Sequence, residues 1–274
     1  MIQIAPSRRG MLGLIGCSAV ALMATPVFAG TAIKHYILVE LQPGADQLAL
    51  DRWYMTYHAP EVRRAYQAWQ RNYFSFRSYL PPKEAVDAFG LSYGRMTEIH
   101  FDALEDFRES RRNSLYGEDL GSFTPPPGGW AGNTLFKSTT ATIPATPDRL
   151  FVSLPTPPRP APYLRWIVFL RYPNGVAAAD GDAWVEGTLG TQLAALPGLR
   201  RLAWYKVLTE RGPYTRVAEF WFEDYAAWRS ALIKPAKPLA PAPWGGVFPF
   251  AGAKSMFIGE RPDIDFIHDD RVIP

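Results

Sequence analysis

The second half of this chain repeats the first, and that repeat narrows the folds open to it more than any other feature. Arg95-Met-Thr-Glu98-Ile-His100-Phe-Asp102 lies beside Arg216-Val-Ala-Glu219-Phe-Trp221-Phe-Glu223. Both read Arg, apolar, small, Glu, apolar, His or aromatic, Phe, acid. Each runs into a stretch that holds an aromatic and an Arg: Leu104-Glu-Asp-Phe107-Arg108 in one copy, Tyr225-Ala-Ala-Trp228-Arg229 in the other. Upstream, His35-Tyr-Ile-Leu-Val-Glu-Leu aligns with Arg165-Trp-Ile-Val-Phe-Leu-Arg, and Tyr73-Phe-Ser-Phe-Arg77 with Leu202-Ala-Trp-Tyr-Lys206. The loops Pro127-Gly-Gly-Trp130 and Pro243-Trp-Gly-Gly246 also correspond.

Each copy reads strand, helix, strand, strand, helix, strand. In the first, β-branched and aromatic runs predict strands near 34–42, 71–80, 94–102 and 133–142, with helices near 46–66 and 103–114. In the second, strands fall near 163–172, 200–209, 214–223 and 252–259, with helices near 178–196 and 223–233. Glu210-Arg-Gly-Pro213 reads as a hairpin turn. This order is the ferredoxin-like split βαβ pattern of an α+β fold with antiparallel sheets. Two such units pack sheet on sheet, with helices outside and room for a pocket between a sheet and its helices. The expected organisation is a first unit over 30–148, a Pro-rich linker over 149–162 and a second unit over 163–274.

Residues 1–29 read as an export signal. Arg8-Arg9 precede an apolar run from Met11 to Ala29, and Val27 and Ala29 are small residues placed for cleavage after Ala29. The paired arginines resemble a twin-arginine signal, which directs a folded chain to the periplasm. An uncleaved membrane anchor is the competing reading, and Pro26 with the small-residue end argues against it. Leu14-Ile15-Gly16-Cys17 resembles a lipidation site behind a very short apolar run, and ranks below cleavage. After cleavage no cysteine remains, since the single one is Cys17, so thiol nucleophiles and disulfides are excluded. The formal charge of the full chain is +3, too small a surplus for a nucleic-acid groove.

The first helix carries the most specific motif, Trp53-Tyr-Met-Thr-Tyr57-His58-Ala59-Pro60. A Trp followed five residues on by His-Ala-Pro, after a first strand, resembles the EthD-like branch of the dimeric α/β-barrel superfamily. The resemblance covers most of 34–145 and, more faintly, 162–260. It implies two barrel units fused in tandem as an intrachain pseudo-dimer. It also implies a helix histidine that faces the pocket and acts as acid/base, here His58. The second copy carries Trp184 but places Leu189 where the first has His58, and Trp221 where it has His100. One active pocket is therefore expected, in the first unit.

Read as residues, His58 is a candidate acid/base because imidazole titrates near working pH, or else a helix-end histidine bonded to backbone. Tyr54 joins it as a catalytic candidate. His100 alternates with Glu98 and Asp102 on one strand face, as a pocket histidine, a metal or haem ligand, or a satisfied core residue. Glu98, repeated as Glu219, suits a cross-strand charge pair with a cation such as Arg77 or Lys206. Tyr57, Tyr93 and Trp53 are candidates to line a pocket, Trp53 also as plain core. Arg77 could grip a substrate carboxylate, as could Arg63, which better suits a solvated helix face. His35 and His268 read as surface. No metal-binding spacing, phosphate loop or nucleophile elbow occurs.

Three functions follow. The first is a periplasmic, cofactor-independent enzyme acting by proton transfer on a small aromatic or lactone-like molecule: isomerisation, decarboxylation, elimination or cofactor-free oxygenation. The second is a haem protein, which superfamily relatives make the alternative, although they place the axial histidine in the C-terminal unit and here that unit offers only His268. The third is a non-catalytic periplasmic carrier for an apolar ligand. Partners beyond the small molecule are not indicated, and exposed sheet edges leave a homodimer open.

Overall fold

A computed structural model describes residues 31–66, 68–113, 123–209 and 212–269. The export signal read over 1–29 lies outside the described residues, as does part of the 210–213 turn.

The first unit runs β1 (Ile33–Leu41), α1 (Gln47–Trp53), a π-helical turn (Tyr54–His58), α2 (Ala59–Tyr66), β2 (Gln70–Arg77), α3 (Lys83–Phe89), β3 (Tyr93–Phe101), α4 (Leu104–Asn113) and β4 (Phe136–Pro144). Strand β5 (Arg149–Ser153) follows, and the second unit runs β6 (Leu164–Leu170), α5 (Ala178–Trp184), a π-helical turn (Val185–Leu189), α6 (Gly190–Ala194), β7 (Leu199–Lys206), β8 (Arg216–Phe222), α7 (Tyr225–Leu232) and β9 (Lys254–Gly259), followed by β10 (Ile264–Asp265). The fold is α+β: two ferredoxin-like units in tandem, each a five-stranded antiparallel sheet, ordered β10-β2-β3-β1-β4 and β5-β7-β8-β6-β9.

The two sheets face each other as a dimeric α/β barrel does, but within one chain. Tyr36, Leu38, Phe76 and Met96 of the first interlock with Ile167, Phe169, Tyr205 and Met256 of the second in one buried cluster. Two backbone bonds that mirror each other through the repeat join the sheet edges. Tyr79 N–H, after β2, donates to the Phe257 carbonyl of β9 (2.8 Å), and Leu208 N–H, after β7, donates to the Thr142 carbonyl of β4 (2.7 Å).

Three short elements were not legible as sequence. Helix α3 is a brief excursion between β2 and β3. Strands β5 and β10 follow the fourth strand of their units and cross to the other unit's sheet, where they cover the β7 and β2 edges. Residues 149–153 thus form a strand within the stretch expected as linker: its first proline is Pro155, and the β7 edge supplies hydrogen-bond partners.

The registers also revise the repeat. Tyr36 faces Glu98 across β1–β3, and Ile167 faces Glu219 across β6–β8. With Glu98 and Glu219 as the matched pair, Lys34 aligns with Arg165 and His35 with Trp166. The sequence alignment of His35 with Arg165 is one residue out, and one residue turns a strand side chain to the other face of the sheet.

Candidate active site

The alternation of a strand sends one face of β1, with Tyr36 and Leu38, into the barrel and the other, with Ile37 and Val39, toward α1, α2 and α4. Between that outer face and those helices lies a cavity of about 290 Å³. Its floor comes from β1, β2, β3 and β4, among them His35, Ile37, Tyr73, Thr97 and Ile99; its roof includes Trp53, Tyr54, His58, Arg111 and Trp130.

His58 ends the π-helical turn. The wider turn is closed by Ala59 N–H donating to the Tyr54 carbonyl five residues back. Pro60 follows directly, but Thr191 stands at the matching place of the second unit, which keeps the same turn, so the proline is not its cause. Five-residue turns of this kind occur often at functional sites, because they re-aim one side chain within a helix. The His58 ring stacks on Trp53 (centres 4.8 Å apart, 19° between planes) and meets Phe123 and Trp130 edge-on. Its Nδ1 is buried and has no hydrogen-bond partner among the described residues. Burial lowers its pKa to about 4, against a smaller opposing pull from Glu61, so the imidazole is neutral at physiological pH.

Glu61 holds the segment that carries Phe123, which packs edge-on against His58. It accepts from Thr124 N–H (2.9 Å) and the Thr124 hydroxyl (2.5 Å), while the Trp53 indole donates to the Thr124 carbonyl (3.1 Å).

Tyr54 shares a hydrogen bond with Thr97 (2.8 Å), and the Arg95 guanidinium lies 4.8 Å over its ring. Arg95 donates to Asp51 (2.6 Å) and Ser75 (2.5 Å). At the other end of the cavity, His35 Nδ1 lies 2.9 Å from the Thr142 hydroxyl and the ring packs on Phe107. Burial, then the charge of Arg111, lowers its pKa to about 3.

The second unit is an internal control. The equivalent space there is packed: Trp166, Trp204, Phe220 and Phe248 belong to one buried cluster with Trp184 and Leu189. Structural pairs persist in both units. Arg95 with Asp51 recurs as Arg216 with Asp182 (2.6 and 2.7 Å), and Trp53 recurs as Trp184. Five other polar residues of the cavity do not persist. His35, Tyr54, His58, Thr97 and Arg111 give way to Trp166, Val185, Leu189, Ala218 and Leu232. The fold does not need those polar groups, since its duplicate stands without them.

Of the sequence candidates, the cavity collects His58, Tyr54 and Trp53. The others lie elsewhere. Glu98 and His100 sit on the barrel-facing side of β3, where His100 Nε2 bonds Glu98 (2.7 Å) and Nδ1 bonds Asn72 (3.1 Å). The cations beside Glu98 are Lys34 (3.5 Å) and Arg165 of the other sheet (3.7 Å), not Arg77 or Lys206. The reason is parity: Glu98 points between the sheets, whereas Arg77 lies outside with Asp51 (3.4 Å). Tyr93 also points into the barrel, hydrogen-bonded to Tyr214 of the second unit. Tyr57 is half exposed, because the π turn carries it outward against Pro125–Pro127. His268 is exposed and bonded to Asp265 (2.9 Å). His35 is buried rather than on the surface; the correct register, which places it opposite Ile99, is the signal that would have shown this. Arg111 was missed although four-residue spacing puts it on the Phe107 face of α4.

No cluster of metal-ligating side chains occurs among the described residues, and no described helix is long and apolar enough to cross a membrane. No known family profile and no curated protein matches the chain. Among solved structures, it is similar to an anthrone oxidase-like protein, at 13% identity and a TM-score of 0.49, over 84% of this chain and 91% of that one. It is also similar to a mutant chlorite dismutase from Candidatus Nitrospira defluvii, at 7% identity and a TM-score of 0.43, over 83% of this chain and 91% of that one. At these identities the likeness extends to the course of the chain alone.

Proposed function

We propose that this chain is an enzyme that moves a proton on a small, largely apolar aromatic molecule enclosed in the first-unit cavity, with His58 as the base and no bound cofactor. The observation that carries this reading is the pairing of His58 with Leu189: the first unit spends a buried, unpartnered imidazole nitrogen where its duplicate has a hydrocarbon. A buried polar atom without a partner costs about 1–3 kcal/mol, so its presence in one copy alone points to use.

The chemistry follows from the surroundings. The neutral His58 imidazole accepts a proton from a C–H or O–H of the bound molecule. The buried aromatic surroundings make the resulting imidazolium unfavourable on its own, but an anion formed beside it stabilises it. Tyr54, held by Thr97 and under Arg95, is placed to donate toward charge that develops on the substrate oxygen. Isomerisation, elimination and attack of the substrate carbanion on dioxygen all begin this way.

Haem fits these residues poorly. The second unit's equivalent cavity is filled by Trp166, Trp204 and Phe248, and His268 is tied to Asp265 on the exposed tail. In the first cavity His58 lies face to face with Trp53. The compartment belongs to the same proposal: Arg8-Arg9 and the Val27–Ala29 end support export to the periplasm.

The test is a turnover screen of enolisable aromatic ketones and phenols with the exported protein, with and without dioxygen, beside its visible spectrum. A colourless protein that turns over a member of the panel, and loses at least about 100-fold in His58→Leu, supports the reading. A Soret band, or activity that survives His58→Leu, overturns it; saturable binding without turnover makes the protein a carrier.

A further inference from the structure

The two units hold their proline-rich loops in the same way. Three residues before the repeated prolines, Pro127 and Pro243, stand Thr124 and Ala240. Three residues after the matched ends of the π-helical turns, His58 and Leu189, stand Glu61 and Gln192. In each unit the helix residue holds the loop residue. Thr124 N–H donates to Glu61 Oε2 (2.9 Å), and Ala240 N–H donates to Gln192 Oε1 (2.8 Å). A neutral amide makes the clamp in the duplicate, so the fold needs an acceptor oxygen there and no charge.

The first unit differs at three places that lie together. It has a carboxylate where the duplicate has an amide, a hydroxyl where the duplicate has a methyl, and the His58 imidazole where the duplicate has Leu189. The Thr124 hydroxyl donates to Glu61 Oε1 (2.5 Å), so both carboxylate oxygens are held. Glu61 follows His58 by three residues, which sets the two side chains on one side of the helix. The clamp also frames the imidazole. The Thr124 carbonyl accepts from the Trp53 indole that stacks on His58, and Phe123, next to Thr124, meets the same ring edge-on. The Glu61 charge acts on that ring, favouring its protonated form against the larger effect of burial. The other titratable and charged groups that line the cavity are His35, Tyr54, Tyr66, Tyr73, Arg95 and Arg111.

Resting on the proton-transfer reading above, we infer that Glu61 is the positioning residue of the reaction: fixed by Thr124, its carboxylate stabilises the His58 imidazolium that forms when the substrate gives up its proton. The proton passes from the substrate to the imidazole, and Glu61 stays ionised throughout. A carboxylate already fixed by two hydrogen bonds need not reorganise when positive charge develops beside it. His58, Glu61 and Thr124 are one working set, and the second unit lacks all three members, with Leu189, Gln192 and Ala240 in their places.

The experiment gives the first unit the duplicate's own residue. Glu61→Gln keeps the acceptor that Gln192 supplies and removes the charge, so its midpoint in urea should match the wild type. Deuterium exchange at the α-carbon of 2-tetralone is the assay. At neutral pH kcat should fall by at least about tenfold with KM within about twofold, the pattern of a lost transition-state interaction. The acid limb of kcat/KM should move to lower pH, because the imidazolium has lost its counter-charge. Thr124→Ala, which leaves the carboxylate with one hydrogen bond fewer, should lie between the wild type and Glu61→Gln. A clamp that served structure alone would leave both kcat and the acid limb of Glu61→Gln at wild-type values; that result, in a wild type that exchanges, overturns the inference and leaves the proton-transfer reading intact. If Glu61→Gln does not fold, Thr124→Ala decides, and a kcat and acid limb equal to the wild type's overturn the inference. A wild type without exchange above buffer removes the proton-transfer reading and the inference with it.

Discussion

His58 and Leu189 close the same π-helical turn, each five residues after a tryptophan, Trp53 and Trp184. One side chain faces a cavity and the other a packed core. Because the backbone is shared, the difference between the units isolates what the imidazole is for.

The swap is testable in both directions. His58→Leu should keep or slightly raise thermal stability, since it removes a buried nitrogen without a partner. Leu189→His should destabilise by about 2–5 kcal/mol, since Leu189 is fully buried and the substitution exchanges packed hydrocarbon for an unpaired polar ring. Urea denaturation of both variants reads the contrast; equal losses in the two would contradict it.

The pH–rate profile should be unusual for a histidine. With His58 held at about 4, the base stays unprotonated far below the ordinary 6.5. We expect kcat/KM to hold from neutral pH down to about 5 and to fall as pH drops through 4. An acid limb near 6.5 would show His58 to be solvated.

Stability should also fall in acid, and the sign follows from the two buried histidines. Both have folded pKa values below 6.5, about 3 for His35 and about 4 for His58, so the unfolded chain binds more protons below pH 6.5. Their contribution is intact above 6.5 and is lost as pH falls through these values, by about 1.4 kcal/mol per pH unit for each histidine. In His58→Leu the slope between pH 6 and 4.5 should drop by about half of the two-histidine total. An unchanged slope would mean that burial at His58 is not what lowers its pKa.

Between the sheets, Lys34 and Glu98 of one unit meet Arg165 and Glu219 of the other as a pseudo-symmetric charge cluster. Burial pushes the Glu98 pKa up, but Lys34, His100 and Arg165 together bring it to about 2. Glu98→Gln should cost about 3–5 kcal/mol by leaving Arg165 under-compensated, while ligand binding in the outer-face cavity changes little. A loss of binding at unchanged stability would place Glu98 in the site instead.

The repeat made the architecture legible, because five matched segments in one order leave few ways to pack two identical strand and helix patterns. Trp53 and His58 were legible for the same reason, as a retention and a departure between copies, and Tyr54 from its place four residues before His58. What failed was parity. His35 was read as surface from its place at the start of a strand, and the one-residue error in aligning β1 with β6 hid its match to buried Trp166; without registers Glu98, His100 and Tyr93 could not be assigned to the barrel side. Tyr57 was misread because five residues, not four, complete the turn that carries it. The crossing strands β5 and β10 gave no signal: β10 is two residues long, and each depends on an edge supplied by the other unit.

The most direct test of His58 as a proton acceptor is deuterium uptake from D2O into the α-carbon of an enolisable aromatic ketone such as 2-tetralone, without dioxygen, followed by mass spectrometry. The wild type should accelerate exchange over buffer, His100→Ala should match it within a few-fold, and His58→Leu should fall by about 100-fold or more, to near the buffer rate. Exchange that proceeds equally in the wild type and His58→Leu would contradict the account.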